Sequence, residues 1–340
     1  MTVSDADTLS AAARELAALI VPGRHVCLTT HVNPDGDGLG SEVAMVHLLS
    51  ALGARVSITN PTATPPRFGF LFDGVAHADQ TAHAVKTLRR ADLIIVLDIA
   101  DLSRLGILAE TVRECTVPVA CIDHHIAPGV LPPGPRYVDA TAAATGELIY
   151  RLAEELQWPV NAAAARALYV ALVTDTGGFR FSNTRPRTLR VAGDLLERGV
   201  DPEQVYLDVY AGAPAGRPRL LAEVLQTLVV EDDRGLAWVT VPPGALERHA
   251  VDPDDLDGVV EHARSVRGVR LALLFREMSG GRVKVSLRSV GDVNVAELAQ
   301  RFGGGGHAKA AGVAIAGTLA DVQAIMLAAS REFLAENGAR

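Results

Sequence analysis

His25-Val-Cys-Leu-Thr-Thr30-His31-Val-Asn-Pro-Asp35-Gly-Asp37-Gly-Leu-Gly40-Ser41 joins an apolar run to a loop that carries one histidine and two aspartates among glycines. The run 26–30 has the length of a short buried strand. The loop after it offers one nitrogen ligand and hard oxygen ligands, a set that suits a divalent cation. Asp35 and Asp37 are close enough in sequence to serve two different ions. Gly40 and Ser41 are then expected to open a helix over 41–52, where Val43, Val46, Leu48 and Leu49 recur at helical spacing and Gly53 closes it. Alone, an Asp-X-Asp among glycines is an ordinary turn. What decides is whether other parts of the chain point to the same place.

Two more apolar runs end in the same kind of residue. Ala-Asp-Leu-Ile-Ile-Val-Leu (91–97) runs into Asp98, and 117–122 runs into Asp123-His124-His125. A further strand is expected over 55–59, and helices over 8–20, 161–174, 188–198 and 202–210. Uninterrupted apolar strands alternating with helices predict an α/β domain: a parallel sheet with helices on both faces. In such sheets ligands bind outside the carboxyl ends of the strands, near the point where the strand order reverses. The helix 161–174, with Asn161 as its N-cap, stops at Asp175-Thr-Gly177-Gly178 and adds another carboxylate. His31, Asp35, Asp37, Asp98, His124 and Asp175 together supply four carboxylates and two imidazoles. That set suits two divalent ions, with Asp98 placed to bridge them, the usual device for in-line attack on a phosphoryl group. Oxygen and imidazole donors without thiolate favour manganese, iron or magnesium over structural zinc.

Past a Gly- and Pro-rich stretch at 211–218 the pattern changes. A strand is expected over 235–241, a hairpin from 269–278 and 282–289, a short helix over 293–301, a strand over 313–316 and a helix over 319–335: a smaller α+β domain. In the second arm of the hairpin Val283, Val285 and Leu287 share one face, and Lys284, Ser286 and Arg288 the other. Arg288 offers a bidentate phosphate clamp, and Gly303–Gly306 before His307 a backbone that a phosphate or base can approach closely. Each also has an ordinary reading, an exposed arginine and a helix stop. Phe179 and Phe181 suit either base stacking or core packing.

The net charge of −8 excludes a protein that coats duplex DNA through a broad basic face, but not one that holds a small phosphorylated substrate. Cys27, Cys115 and Cys121 are odd in number and sit in apolar runs, so reduced thiols are expected. No signal pattern and no apolar run of about 18 residues occurs, which predicts a cytoplasmic protein without a membrane partner.

His31-X-X-X-Asp35-X-Asp37-X-X-Gly40-Ser41, then Asp98 with Arg104-Leu-Gly106, then Asp123-His124-His125, then Thr174-Asp175-Thr-Gly177, resemble the successive motifs of the DHH phosphoesterases. Gly304-Gly305-Gly306-His307 and Ala310-Ala-Gly312 resemble the companion domain of that family's nuclease branch. The resemblance implies a catalytic domain over 1–187, a helical linker over 188–218 and a substrate-binding domain over 219–340, with the active site in the cleft between domains. It implies two ions, manganese by preference: one on His31, Asp35 and Asp98, the other on Asp37, Asp98, His124 and Asp175. His125 would contact the scissile phosphate and Asp123 would orient the histidines. Arg104, Ser286, Arg288, Gly304, Gly305, Gly306 and His307 would bind substrate. Length and architecture match the nanoRNase-like branch, which degrades very short oligonucleotides, pApA among them, and dephosphorylates 3′-phosphoadenosine-5′-phosphate (pAp). The family also implies a homodimer. A dedicated cyclic di-AMP phosphodiesterase and a non-catalytic nucleotide sensor stay open as alternatives.

Overall fold

The computed structural model describes residues 5–75, 77–79, 81–125, 129–211, 214–256 and 258–337. The chain forms two compact units, Met1–Gly212 and Ala213–Arg340. The first is built on β1 (His25–Thr29), β2 (Arg55–Asn60), β3 (His77–Asp79), β4 (Leu93–Leu97), β5 (Val119–Asp123) and β6 (Arg136–Val138). All neighbouring pairs are parallel, in the order β3-β2-β1-β4-β5-β6. The chain moves outward from β1 to β3, returns to place β4 on the other side of β1, and moves outward again. The order therefore reverses between β1 and β4, which is where a ligand crevice belongs.

Both faces of this sheet are covered, as uninterrupted apolar strands require. Leu93, Ile95 and Leu97 of β4, with Ala120 and Ile122 of β5, face a core shared with helices Gly36–Ala51, Thr145–Glu155 and Ala162–Asp175. Ile94, Val96, Val119 and Cys121 point the other way, against Leu88, Leu105, Leu108 and Val112. The edge strands β3 and β6 are three residues each and escape sequence reading, because such short pieces carry no period. Helices Pro186–Glu197 and Pro202–Tyr206, expected as part of a linker over 188–218, are part of this unit: Val191, Ala192, Leu195 and Val205 are buried in its core.

The expected boundary nearest the loop after β1 moves. The helix opens at Gly36 and not at Gly40 or Ser41, with Asp35 as N-cap accepting from the N–H groups of Asp37 and Gly38. Glycine is a poor helix former, so its presence in the first turns suggested a loop. Packing explains it. A Cβ on Gly38 would stand 2.6 Å from Thr30 Oγ1, and one on Gly40 2.5 Å from the Ala167 carbonyl oxygen. The helix can lie this close to β1 and to helix Ala162–Asp175 only without those side chains.

The second unit is a mixed sheet of β7 (Val229–Glu231), β8 (Leu236–Thr240), β9 (Leu271–Met278), β10 (Arg282–Ser289), β11 (Gly305–His307) and β12 (Ala310–Ala316), ordered β11-β12-β10-β9-β8-β7. Among the described residues only β8 and β9 of this sheet run parallel. Leu271, Leu273, Phe275, Val283, Val285 and Leu287 face helices Val295–Gln300 and Leu319–Glu336 across one core. No helix among the described residues is long and apolar enough to cross a membrane.

Candidate metal centre

The loops leaving β1, β4 and β5 meet at the switch point. Asp98 follows β4 with a left-handed backbone, φ 57°, and is 2% exposed. A non-glycine residue in that conformation is strained, and aspartate tolerates it better than most. The Asp98 N–H donates to the Ile122 carbonyl at 3.1 Å, which ties the strand end to β5. Each carboxylate oxygen of Asp98 faces a different group. Oδ2 lies 3.7 Å from His31 Nε2, whose other neighbour is Asp35 Oδ2 at 3.9 Å. Oδ1 lies 3.6 Å from His124 Nε2, which also stands 3.6 Å from Asp37 Oδ2 and 3.7 Å from Asp175 Oδ2. His125 Nδ1 is 3.5 Å from the same Oδ1.

These separations are too long for hydrogen bonds. They are near the spacing of two donor atoms sharing one ion: bonds of about 2.1 Å at ~110–135° leave donors about 3.4–3.9 Å apart. Ligand atoms of His31, Asp35 and Asp98 lie within 4.8 Å of one another, as do those of Asp37, His124 and Asp175. The donors are carboxylate and imidazole only; Cys27 and Cys121 are buried elsewhere in the sheet, and burial pushes the Cys27 thiol up to about 12.

The electrostatics fit the same reading. Burial opposes the charged form of His31, but Asp35 and Asp98 outweigh it and push its pKa up to about 10. For His124 burial is overcome by Asp37, Asp98 and Asp175, and the pKa rises to about 9. Burial, with the charge of Asp98, raises Asp37 well above the carboxylate range. Burial, followed by the charges of Asp35 and Asp98, lifts Asp175 to about 7 against the pull of His124. Asp98 moves the other way: burial would raise it, and His31, His125 and His124 hold it low. Burial and neighbouring carboxylates thus oppose the charged forms of Asp37 and Asp175, an effect that a divalent cation between them would offset.

Neighbouring groups hold the donors. Asp123 is fully buried; its Oδ1 accepts from His125 Nδ1 at 2.7 Å and from the His125 N–H at 3.2 Å, and its Oδ2 from the Ala100 N–H at 3.0 Å. It thus orients His125, while His124 Nδ1 stands 3.4 Å from the Ala142 carbonyl. His31 Nδ1 lies 2.8 Å from the Val32 carbonyl and 3.0 Å from Arg104 Nη2. With Nε2 turned to the carboxylates, Nδ1 carries a proton for Val32, which leaves the Arg104 guanidinium without a lone pair to bind there.

Three supporting groups were not found by sequence reading. The N–H groups of Thr145 and Gly146 donate to the two Asp37 oxygens at 2.7 and 2.9 Å, and the Thr145 hydroxyl donates to Asp98 Oδ1 at 3.0 Å. Asn183 Nδ2 donates to the Asp175 carbonyl at 3.1 Å and to the Ala143 carbonyl at 3.0 Å. The dipeptide Thr145-Gly146 ahead of a helical run was the available signal, since a helix N-terminus attracts carboxylates.

The second-unit candidates sit on its sheet. Arg288 is in β10 opposite Ala272 and Ala310, and its Nε donates to Glu261 Oε1 at 3.0 Å. Ser286, two residues earlier on the same arm, is half-buried. Much of the glycine run serves packing: a Cβ on Gly304 would stand 2.6 Å from Val313 Cβ, and one on Gly306, with φ 143°, 2.5 Å from the Ala310 carbonyl oxygen. Gly305 faces open space. The His307 side chain lies outside the described residues. Phe179 packs on the first core, edge-on to Tyr169 at 6.0 Å between ring centres, whereas Phe181 is 38% exposed.

Residues 25–172 match the DHH family N-terminal domain and residues 237–336 the DHHA1 domain. The chain is 33% identical over 298 residues to a Thermus thermophilus protein named bifunctional oligoribonuclease and PAP phosphatase NrnA, covering 86% of this chain and 84% of the relative. It superposes with a TM-score of 0.87 on the crystal structure of an exopolyphosphatase-related protein from Bacteroides fragilis, 25% identical, covering 95% of this chain and 96% of the other. The fold also matches RecJ from Thermus thermophilus, solved in complex with Mn2+, at a TM-score of 0.56 and 18% identity, over 98% of this chain and 56% of RecJ. With a paired DHH and DHHA1 architecture and a relative this similar along most of its length, the chain belongs to the DHH family.

Proposed function

We propose that this protein is a two-metal phosphohydrolase that degrades very short oligonucleotides, pApA included, to mononucleotides and removes the 3′-phosphate of pAp. The observation that supports it best is Asp98: a buried carboxylate at the switch point whose two oxygens face two separate sets of ligand atoms. In this reading His31, Asp35 and Asp98 hold one ion, and Asp37, Asp98, His124 and Asp175 the other, with manganese as the preferred metal. When bound, the ions supply a water made acidic enough to attack at neutral pH and positive charge for the phosphoryl oxygens. His125, fixed by Asp123, points a ring nitrogen at a phosphate oxygen. Arg104, whose Nη2 stands beside His31 Nδ1 with no lone pair to bind there, turns to another phosphate oxygen. Arg288, Ser286, Gly305 and His307 recognise the rest of the nucleotide. The name carried by the Thermus relative agrees with this substrate class.

The test is a substrate panel with Mn2+: a dinucleotide, pAp, pApA, cyclic di-AMP and a long RNA. Release of mononucleotide from the dinucleotide and from pApA, and of phosphate from pAp, is expected, with slow or no turnover of the long RNA. Turnover of cyclic di-AMP far above all the others would replace this reading with a dedicated cyclic dinucleotide phosphodiesterase. Nucleotide binding without turnover of any would replace it with a sensor.

A further inference from the structure

Thr145 spends both of its hydrogen-bond donors on the candidate metal centre. It is fully buried and is the first residue of helix Thr145–Glu155. Ala144 before it is extended, so the amides that start the helix have no helical partner of their own. The Thr145 amide goes to Asp37 and its hydroxyl to Asp98 Oδ1, the oxygen that faces His124 and not the one that faces His31. Gly146 adds a second amide to Asp37, and its lack of a side chain lets the helix start come this close: a Cβ there would stand 2.5 Å from Ala171 Cβ.

The χ2 torsion of an aspartate is broad and weakly held. An ion fixes the oxygen it binds, and the oxygen facing the second ion then needs a hydrogen bond of its own to hold its remaining lone pair on that ion. For Asp98 the Thr145 hydroxyl supplies that bond, and it acts on one side only. Asp37 is held by backbone amides that no side-chain substitution at Thr145 removes.

We infer that the Thr145 hydroxyl is a positioning group that sets the affinity of the ion held by Asp37, Asp98, His124 and Asp175, and leaves the ion held by His31 and Asp35 largely unaffected. The inference rests on the two-metal reading above. It makes a division that a purely structural role would not: the effect follows the hydroxyl, and it falls on one ion of two.

The experiment is calorimetric titration of the metal-free full-length protein with MnCl2, comparing wild type, Thr145→Val and Thr145→Ser, with metal-free thermal unfolding recorded beside it. Wild type is expected to take up two ions. Thr145→Val, which keeps the branch and loses the hydroxyl, is expected to keep one at wild-type affinity and to bind the other about 10- to 100-fold more weakly. Thr145→Ser, which keeps the hydroxyl and loses the methyl, is expected to restore both. Should Thr145→Val not fold, Thr145→Ala removes the same hydroxyl and carries the same expectation. Two ions at wild-type affinity in the folded hydroxyl-free variant overturn the role of Thr145 alone. Equal weakening of both ions, or failure of Thr145→Ser to restore binding, overturns it as well. Fewer than two ions in wild type bring down the two-metal reading and this inference with it.

Discussion

The carboxyl ends of the first sheet and the polar arm of the second differ in what restrains their charged groups. In the first, Asp37, Asp98 and His31 are almost wholly buried, and Asp98 sits in a strained conformation held by strands on either side. Like charges are forced together, and little can move to relieve them. On β10 of the second sheet, Arg288 is part-exposed and pairs with Glu261, itself part-exposed. The first region has the restraint that a fixed cation site needs, and the second carries a partly solvated ion pair. On the function proposed above, reaction type belongs to the first unit. Substrate preference is proposed to belong in part to the second.

The contrast is tested most severely by Asp98→Asn, which keeps a side chain that tolerates φ 57° while removing the charge shared between the two groups. Turnover of dinucleotide and of pAp in Mn2+ is expected to fall together by roughly 10³-fold or more, the loss of several kcal/mol of charge stabilisation. Retained activity would show that Asp98 is not central.

Next in size is the pH dependence of metal binding. His31 and His124 are raised from the ordinary 6.5 to about 10 and about 9, so both carry a proton at neutral pH in the metal-free protein. A nitrogen must lose that proton to become a ligand. Mn2+ binding is expected to release protons, and affinity to rise between pH 7 and 9 by up to about tenfold per unit for each proton released. Calorimetry in two buffers of different ionisation enthalpy at each pH measures it. Affinity that is flat with pH would mean that His31 and His124 are not ligands.

The smallest effect is expected from Arg288→Ala. The pair it breaks is partly solvated, so stability should change by less than about 1 kcal/mol. KM for pAp and for a dinucleotide is expected to rise about tenfold, with kcat within roughly twofold, because the lost contact is made equally in ground and transition states. A fall in kcat with KM unchanged would move Arg288 from recognition into the chemistry and erase the contrast between the two regions.

Some of this was legible without coordinates because it is local. β4 and β5 are uninterrupted apolar runs, and Asp98 and Asp123 mark where they stop. Val283, Val285 and Leu287 alternate with polar neighbours on β10 and are all buried. Asn161 caps its helix by accepting from the Ala164 N–H at 2.8 Å. Other features depend on partners distant in sequence. Gly36, Gly38 and Gly40 look like a loop until Thr174, Thr30 and Ala167 are set against them. Thr145 and Asn183 carry no motif, and their meaning comes from Asp37 and Asp98, and from Asp175.

Residue order was enough to say which donor types are available and that they follow strand ends, because hydrophobic periodicity and residue chemistry are properties of neighbours along the chain. The folded arrangement was needed to put β4 beside β1, to stand Asp98 between His31 and His124, and to set a helix start against Asp37. Strand order and the close approach of helices come from burying both faces of one sheet at once, a condition on the whole chain that no local stretch can express.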